Sequence, residues 1–207
     1  PPRSTLFPYT TLFRSHAGIY LALTGDRVGQ ADALALGLAT HAVPSARMAE
    51  LAEALTGSEP VDATIARFAA DPGPGKLAPE RATIAHCFGA ATWPDILGRL
   101  DAKAAAGDAF AAKALATIRA KSPTSVAIAF EQMRRGASLG FAEAMQLEFR
   151  IVSRIPHGHD FYEGVRAVVI DKDQAPSWRP RTLEELDPAA VAAYFAPLGA
   201  TELALGS

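Results

Sequence analysis

Cysteine is almost missing from this chain: Cys87 is the single one in 207 residues. That excludes an internal disulfide framework and suits a compartment where thiols stay reduced, so the expected location is the cytoplasm. A charge excess is missing too. Twenty Lys and Arg against 22 Asp and Glu leave a net charge of -2 and a pI near 6.2. A nucleic-acid footprint needs a strongly basic face, so nucleic acid is not an expected partner. No apolar run approaches the roughly 20 residues that cross a bilayer, so no membrane span is expected. There is no Gly-x-Ser-x-Gly elbow and no dinucleotide fingerprint. The loop Asp71-Pro-Gly-Pro-Gly-Lys76 lacks the preceding strand and the Gly-Lys-Ser/Thr ending of a phosphate loop, and it reads as a plain loop. Only His157, His159 and Asp160 stand near one another as potential metal ligands, with no second cluster, so no metal is expected.

What is present is alanine, in runs broken by Asp, Lys and Arg, within an apolar fraction of 49%. Alanine is the best helix former, so the chain is expected to be mainly helical. Residues 1–15 stand apart. Thr5-Leu6-Phe7 repeats as Thr11-Leu12-Phe13, and the apolar residues show neither helical nor strand period. The segment resembles translated sequencing adapter and is expected to pack on nothing. A transit peptide is the rival reading, since acids are lacking and Arg3 and Arg14 are present.

From Gly18 the order is legible. Ile19, Leu21 and Leu23 form an apolar run that Thr24-Gly25 stops. Gln30–Leu36 reads as a short helix closed by Gly37, and Thr40–Val43 as a short strand ended by Pro44. Ser45 and Ser58 each stand where an N-cap would open a helix, the second with an apolar face of Val61, Ile65 and Phe68. Cys87 lies in an apolar helical stretch and reads as a small buried hydrophobe, while His41 and His86 read as packing or surface residues. Thr92 with Asp95, then Asp108, open the next two helices. Ile96, Leu97 and Leu100 face inward on the first, and Phe110, Ala114, Leu115 and Ile118 on the second. Ser122-Pro123 opens a helix with Ala127, Phe130 and Met133 inside. Phe141, Met145, Phe149 and Val152 line the following one. Asp160 and Glu163 have the spacing of a capping box for a helix whose apolar residues are Phe161, Val165, Val168 and Val169. Thr182 and Glu185 begin a turn of helix, and Asp187-Pro188 opens the last one.

Three sets of residues carry a resemblance. Leu23-Thr24-Gly25, Gly37-Leu38-Ala39 and Val43-Pro44 stand in one order. Glu163-Gly164, Ala167, Lys172, Pro176 and Trp178 form a C-terminal signature. Together these resemble the crotonase (enoyl-CoA hydratase/isomerase) superfamily. Ser122-Pro123-Thr124-Ser125, Gly158-His159-Asp160-Phe161 and the long helical stretch over 58–120 resemble one branch of it, the 3-hydroxyisobutyryl-CoA hydrolases.

The resemblance implies a mainly α fragment of the crotonase-like α/β (ββα spiral) fold, with few short strands and a C-terminal helical region. It divides the chain into a non-family segment (1–15), the end of the crotonase core (16–57), inserted helices (58–120), and the C-terminal helical region and tail (121–207). It implies an acyl-CoA substrate, thioester hydrolysis in valine breakdown, no cofactor beyond the coenzyme A of the substrate, and a possible homo-oligomer. Lys172, Trp178 and Arg179 match the family region near the nucleotide end of coenzyme A, where cations suit phosphates and an indole can stack on adenine. The branch's Pro-Glu and Pro-Asp sites and its glycine-rich oxyanion turn precede the matched region. Pro79-Glu80 and Pro94-Asp95 match in letters only. No catalytic residue is therefore assigned, and the stretch is expected to be inactive alone. A hydratase or isomerase of the same fold, and a helical interaction module with no chemistry, are the alternatives.

Overall fold

The computed structural model describes residues 16–204. The expectation for residues 1–15 lies outside the described range. The described chain is built of helices. The first, α1, runs His16–Thr24 and buries Tyr20 and Leu23. The ring of Tyr20 meets Phe88 edge-on at 5.3 Å and Phe110 at 5.2 Å. Helix α2, Gln30–Ala35, ends at Gly37, whose φ of 69° is the left-handed conformation that glycine adopts without cost. The Leu38 amide then donates back to the Ala33 carbonyl at 2.8 Å and closes the cap.

Residues 40–43 form no strand, contrary to expectation, and no strand occurs among the described residues. A strand needs a neighbouring ladder. Here, among the described residues, the Ala42 carbonyl accepts from the Ala70 amide and the Val43 carbonyl from the Gln30 side chain, and no ladder forms.

Helices α3 (Met48–Ala54) and α4 (Val61–Phe68) pack on each other. Ser45 falls in a short 3-10 turn and neither serine caps its helix. The inward face of α4 is Thr64 and Phe68, with Val61 exposed. The Thr64 hydroxyl can be buried because it donates within reach of Glu59 and the Pro60 carbonyl.

The main core joins α1 to α5 (Arg81–Phe88), α6 (Trp93–Ala105), α7 (Ala109–Arg119) and α8 (Pro123–Gly136). Phe88, Ile96, Leu100 and Cys87 are fully buried. The caps hold as expected. Thr92 accepts from the Asp95 amide, Asp108 from Ala111 and Ser122 from Ser125. The loop before α5 is fastened by buried Asp32, whose carboxylate accepts both the Lys76 and Leu77 amides at 3.0 Å. Gly75 is required there, because a Cβ would sit 2.0 Å from that carboxylate.

Helix α8 serves two cores. Val126 and Phe130 enter the first, while Ala127 and Ile128 join Leu147, Ile151, Val191 and Phe195 in a second. Those come from α9 (Phe141–Val152) and from the last helix with its C-terminal turn, Pro188–Ala193 and Phe195. The buried face of α9 is Leu147 and Ile151; Phe141 and Val152, expected inside, are exposed. Between them lies α10, His159–Val165, which runs into a π turn over Arg166–Ile170. Counting α10, the helix Pro188–Ala193 is α11. Among the described residues no helix is long and apolar enough to cross a membrane.

Candidate functional site

The segment after α10 is a strap laid back over the helix. Asp160 and Glu163 do not cap α10; Gly158 stands at its N-cap and no side chain bonds there. Instead each carboxylate holds the strap. Glu163 Oε1 accepts the Ser177 amide at 2.6 Å, and Asp160 Oδ1 accepts the Arg179 amide at 2.9 Å. The other oxygen of Asp160 accepts the Ser122 hydroxyl at 2.5 Å, tying α10 to the start of α8. The physical reason is reach. Both carboxylates lie on the side of α10 where the returning chain presents its amides, and a carboxylate is a strong acceptor for a backbone N–H.

Arg166 is the hub of the strap, and no reading of the sequence singled it out. Its Nε and Nη2 bond both oxygens of Glu163 at 2.9 and 2.8 Å. Its Nη1 donates to Asp171 and Asp173, each at 2.7 Å, and Nη2 also reaches the Ala175 carbonyl at 3.2 Å. A planar guanidinium suits this fork-on-fork arrangement and an ammonium does not. The Arg166 side chain first, and the Ser177 amide second, hold the Glu163 carboxyl down at about 2. The π turn supports the hub, because the Asp171 amide bonds back to the Arg166 carbonyl at 2.8 Å. The i,i+3 spacing of Glu163 and Arg166 was the available signal.

Lys172 and Gln174 have φ of 57° and 55°, the left-handed region that side chains rarely adopt. Lys172 and Arg179 are exposed, and among the described residues neither side chain makes an ion pair. Trp178 is half-buried. Its indole N–H donates to the Ala120 carbonyl at 3.0 Å, and a Cβ on Gly164 would meet its ring at 3.4 Å. The structure therefore brings the three sequence-predicted residues onto one strap, with Trp178 as its anchor.

Of the other candidates, His159 Nδ1 lies 3.0 Å from Asp160, and among the described residues no group of three His, Cys, Asp or Glu side chains could hold a metal. His41 and His86 are exposed, and Asp95 belongs to the cap of α6. Cys87 is fully buried, and burial raises its thiol pKa. One face of α10 and its π turn is bare: Phe161, Tyr162, Val165, Val168, Val169 and Ile170 are 37% to 68% exposed. The apolar run of α1 is not part of this patch: Leu23 is buried, and Ile19 and Leu21 pack on the core. A cleft of about 380 Å³, not foreseen, lies between α1 and α7 and is lined by Tyr20, Asp26, Lys76, Phe110, Lys113 and Lys121. At its base the Tyr20 hydroxyl donates to Asp26 at 2.6 Å, and burial followed by this bond raises the phenol's pKa.

This helical framework is that of a crotonase. The chain superimposes on a carnitinyl-CoA dehydratase from Mycobacterium thermoresistibile with a TM-score of 0.83 at 34% identity, covering 95% of this chain and 56% of that one. An enoyl-CoA hydratase from Rhodobacter sphaeroides gives 0.82 at 35% identity, covering 96% and 57%. The enoyl-CoA hydratase/isomerase family description matches residues 9–195, and the chain belongs to that family.

Curated relatives narrow the likeness. The mitochondrial 3-hydroxyisobutyryl-CoA hydrolase of Xenopus laevis is 37% identical over 198 residues, 91% of this chain and 51% of that protein. The human protein of the same name is 34% identical over 199 residues, 90% of this chain and 50% of that one. The chain thus spans about half the length of the curated relatives it matches. Their mitochondrial designation overturns the expected cytoplasmic location. A single cysteine excludes a disulfide framework but does not tell one thiol-reducing compartment from another.

Proposed function

We propose that this chain supplies the C-terminal half of a 3-hydroxyisobutyryl-CoA hydrolase and that its strap meets the nucleotide end of the coenzyme A ester. The observation that carries the reading is the strap itself. Lys172 and Arg179 stand exposed and without ion-pair partners among the described residues, while the carboxylates around them are engaged by Arg166 and backbone amides. Free cations held beside satisfied carboxylates suit phosphate oxygens. Trp178 fixes the strap, and the open part of its indole is left to stack on adenine.

Thioester hydrolysis needs hydrogen-bond donors for the oxyanion and a general acid-base group. One oxyanion donor is worth on the order of 10² to 10³ in rate, and acid-base catalysis roughly 10² to 10⁴. In this reading both sets lie in the part of the relatives that the chain does not span. Free-thiol release from 3-hydroxyisobutyryl-CoA is the test, run with this chain and with a version extended to its relatives' full length. Turnover by the extended version alone supports the proposal. Comparable turnover by both would return the search for catalytic groups to Asp160, Glu163 and the neighbouring histidines. A hydratase is the second reading, favoured by the two solved neighbours, which are named as a dehydratase and a hydratase. Hydration of an enoyl-CoA without thiol release by the extended version would establish it.

A further inference from the structure

We propose that Arg166 is a positioning residue: it shapes the strap so that Lys172 and Arg179 are presented to the phosphates of a coenzyme A ester, an inference that rests on the reading above. The geometry carries the argument. Five acceptor oxygens from Glu163, Asp171, Asp173 and Ala175 converge on one guanidinium at 2.7 to 3.2 Å. Lys172 sits between Asp171 and Asp173 in sequence, and both of these carboxylates are turned onto Arg166. Without Arg166 these carboxylates are released to pair with Lys172, their neighbour in sequence, and a lysine so paired is lost to a ligand. Arg166 also brackets the two left-handed residues, Lys172 and Gln174. A conformation of that kind persists only where its surroundings over-determine it. Here the surroundings are the Arg166 fork, the Gln174 amide bonded to the Ala167 carbonyl at 3.1 Å, and the Ala175 amide bonded to Asp173 at 2.9 Å.

Arg166 thus acts through Lys172 rather than on the ligand. Lysine at this position would keep the positive charge but not the fork. That difference separates positioning from a general electrostatic role.

The experiment measures coenzyme A binding by calorimetry to the unsubstituted chain and to Lys172→Ala, Arg166→Ala and Arg166→Lys. Hydrogen exchange at the Gln174 and Ser177 amides is followed in each. Lys172→Ala is expected to weaken binding. Arg166→Ala and Arg166→Lys are both expected to weaken it by about tenfold, the scale of one charge misplaced by a few ångströms at partial exposure. Both should also speed exchange at Gln174 and Ser177. Native-like binding by Arg166→Lys beside a weakened Arg166→Ala would mean that charge alone matters, and would overturn the positioning role. Native-like binding by Arg166→Ala would overturn it outright, even with Lys172→Ala impaired. If the unsubstituted chain binds no coenzyme A, or Lys172→Ala binds it unchanged, the phosphate reading falls and takes this inference with it. If Arg166→Ala does not fold, Arg166→Lys with its exchange readout decides alone.

Discussion

Replacing Asp160 by alanine separates two roles for one residue by magnitude. A carboxylate in the first turn of a helix favours the positive helix end by about 0.3 to 1 kcal/mol at an exposed site. The structure gives Asp160 more to do. Its side chain is 12% exposed, and its two oxygens accept the Ser122 hydroxyl at 2.5 Å and the Arg179 amide at 2.9 Å. Ser122 is buried and accepts the Ser125 amide as the cap of α8, so the carboxylate and the cap form one chain of hydrogen bonds. Removing a charged acceptor from two donors, one of them buried, costs about 1 to 3 kcal/mol per donor left unpaired. Asp160→Ala should therefore lose about 1 to 3 kcal/mol from the buried Ser122 hydroxyl, and up to about 6 kcal/mol where the exposed Arg179 amide also stays unpaired. Urea unfolding of Asp160→Ala, Ser122→Ala and the double variant measures it. The double variant should cost less than the sum of the single ones, with a coupling of about 1 to 3 kcal/mol. A loss under 1 kcal/mol with no coupling to Ser122 would refute this assignment and restore simple capping.

Other expectations follow from the same contacts. The folded pKa of Glu163, about 2, lies below its ordinary 4.5, so its hold on the strap is complete above 4.5 and fades as pH falls toward 2. Exchange protection at the Ser177 amide, corrected for intrinsic rate, should fall across that window. Cys87 should resist thiol reagents in the folded chain and react only on unfolding, because burial both hides the sulfur and raises its pKa. The bare face from Phe161 to Ile170 should bind a hydrophobic dye, and replacing Val169 and Ile170 by serine should lower that signal without lowering the melting temperature.

The residues that could be read from sequence are those whose partners lie within a turn. Thr92, Asp108, Ser122 and Asp187 cap as expected, since each bonds an amide two or three residues on. The inward faces of α6, α7 and α8 were legible because their apolar residues keep a helical period. Asp160 and Glu163 have the spacing of a capping pair, but the strap amides and the Ser122 hydroxyl that they accept stand 14 to 38 residues away, and spacing carries no information about those. Thr40–Val43 has strand composition, and composition cannot supply the neighbouring strand that a ladder needs. On α9, apolar residues occur on more than one face, so periodicity allowed Phe141 and Val152 inside where Leu147 and Ile151 are. For Arg166 the spacing signals only the Glu163 pair and not its role as a hub. The π turn brings Asp171 and Asp173 onto it at five and seven residues, outside the i,i+3 and i,i+4 pairs of a regular helix.

What holds α10 in place is therefore polar. Seven residues are too few for a helix to stand alone in water. Of its apolar neighbours in the π turn only Ala167 is fully buried, and the larger ones face outward. The anchors are Asp160 to α8, Trp178 to the end of α7, and the Arg166 fork to the strap. These anchors differ in their exposure to salt. Asp171 and Asp173 are 49% and 43% exposed, whereas Glu163 is 12% exposed. Screening at high ionic strength should weaken the two aspartate arms first and leave the Glu163 arm in place. Exchange at the Gln174 amide, between the aspartates and Ala175, should then speed up with added salt while Ser177, held by Glu163, stays protected. Equal deprotection of both amides would show that the strap opens as one piece, with the Arg166 fork as a single unit rather than three separable bonds.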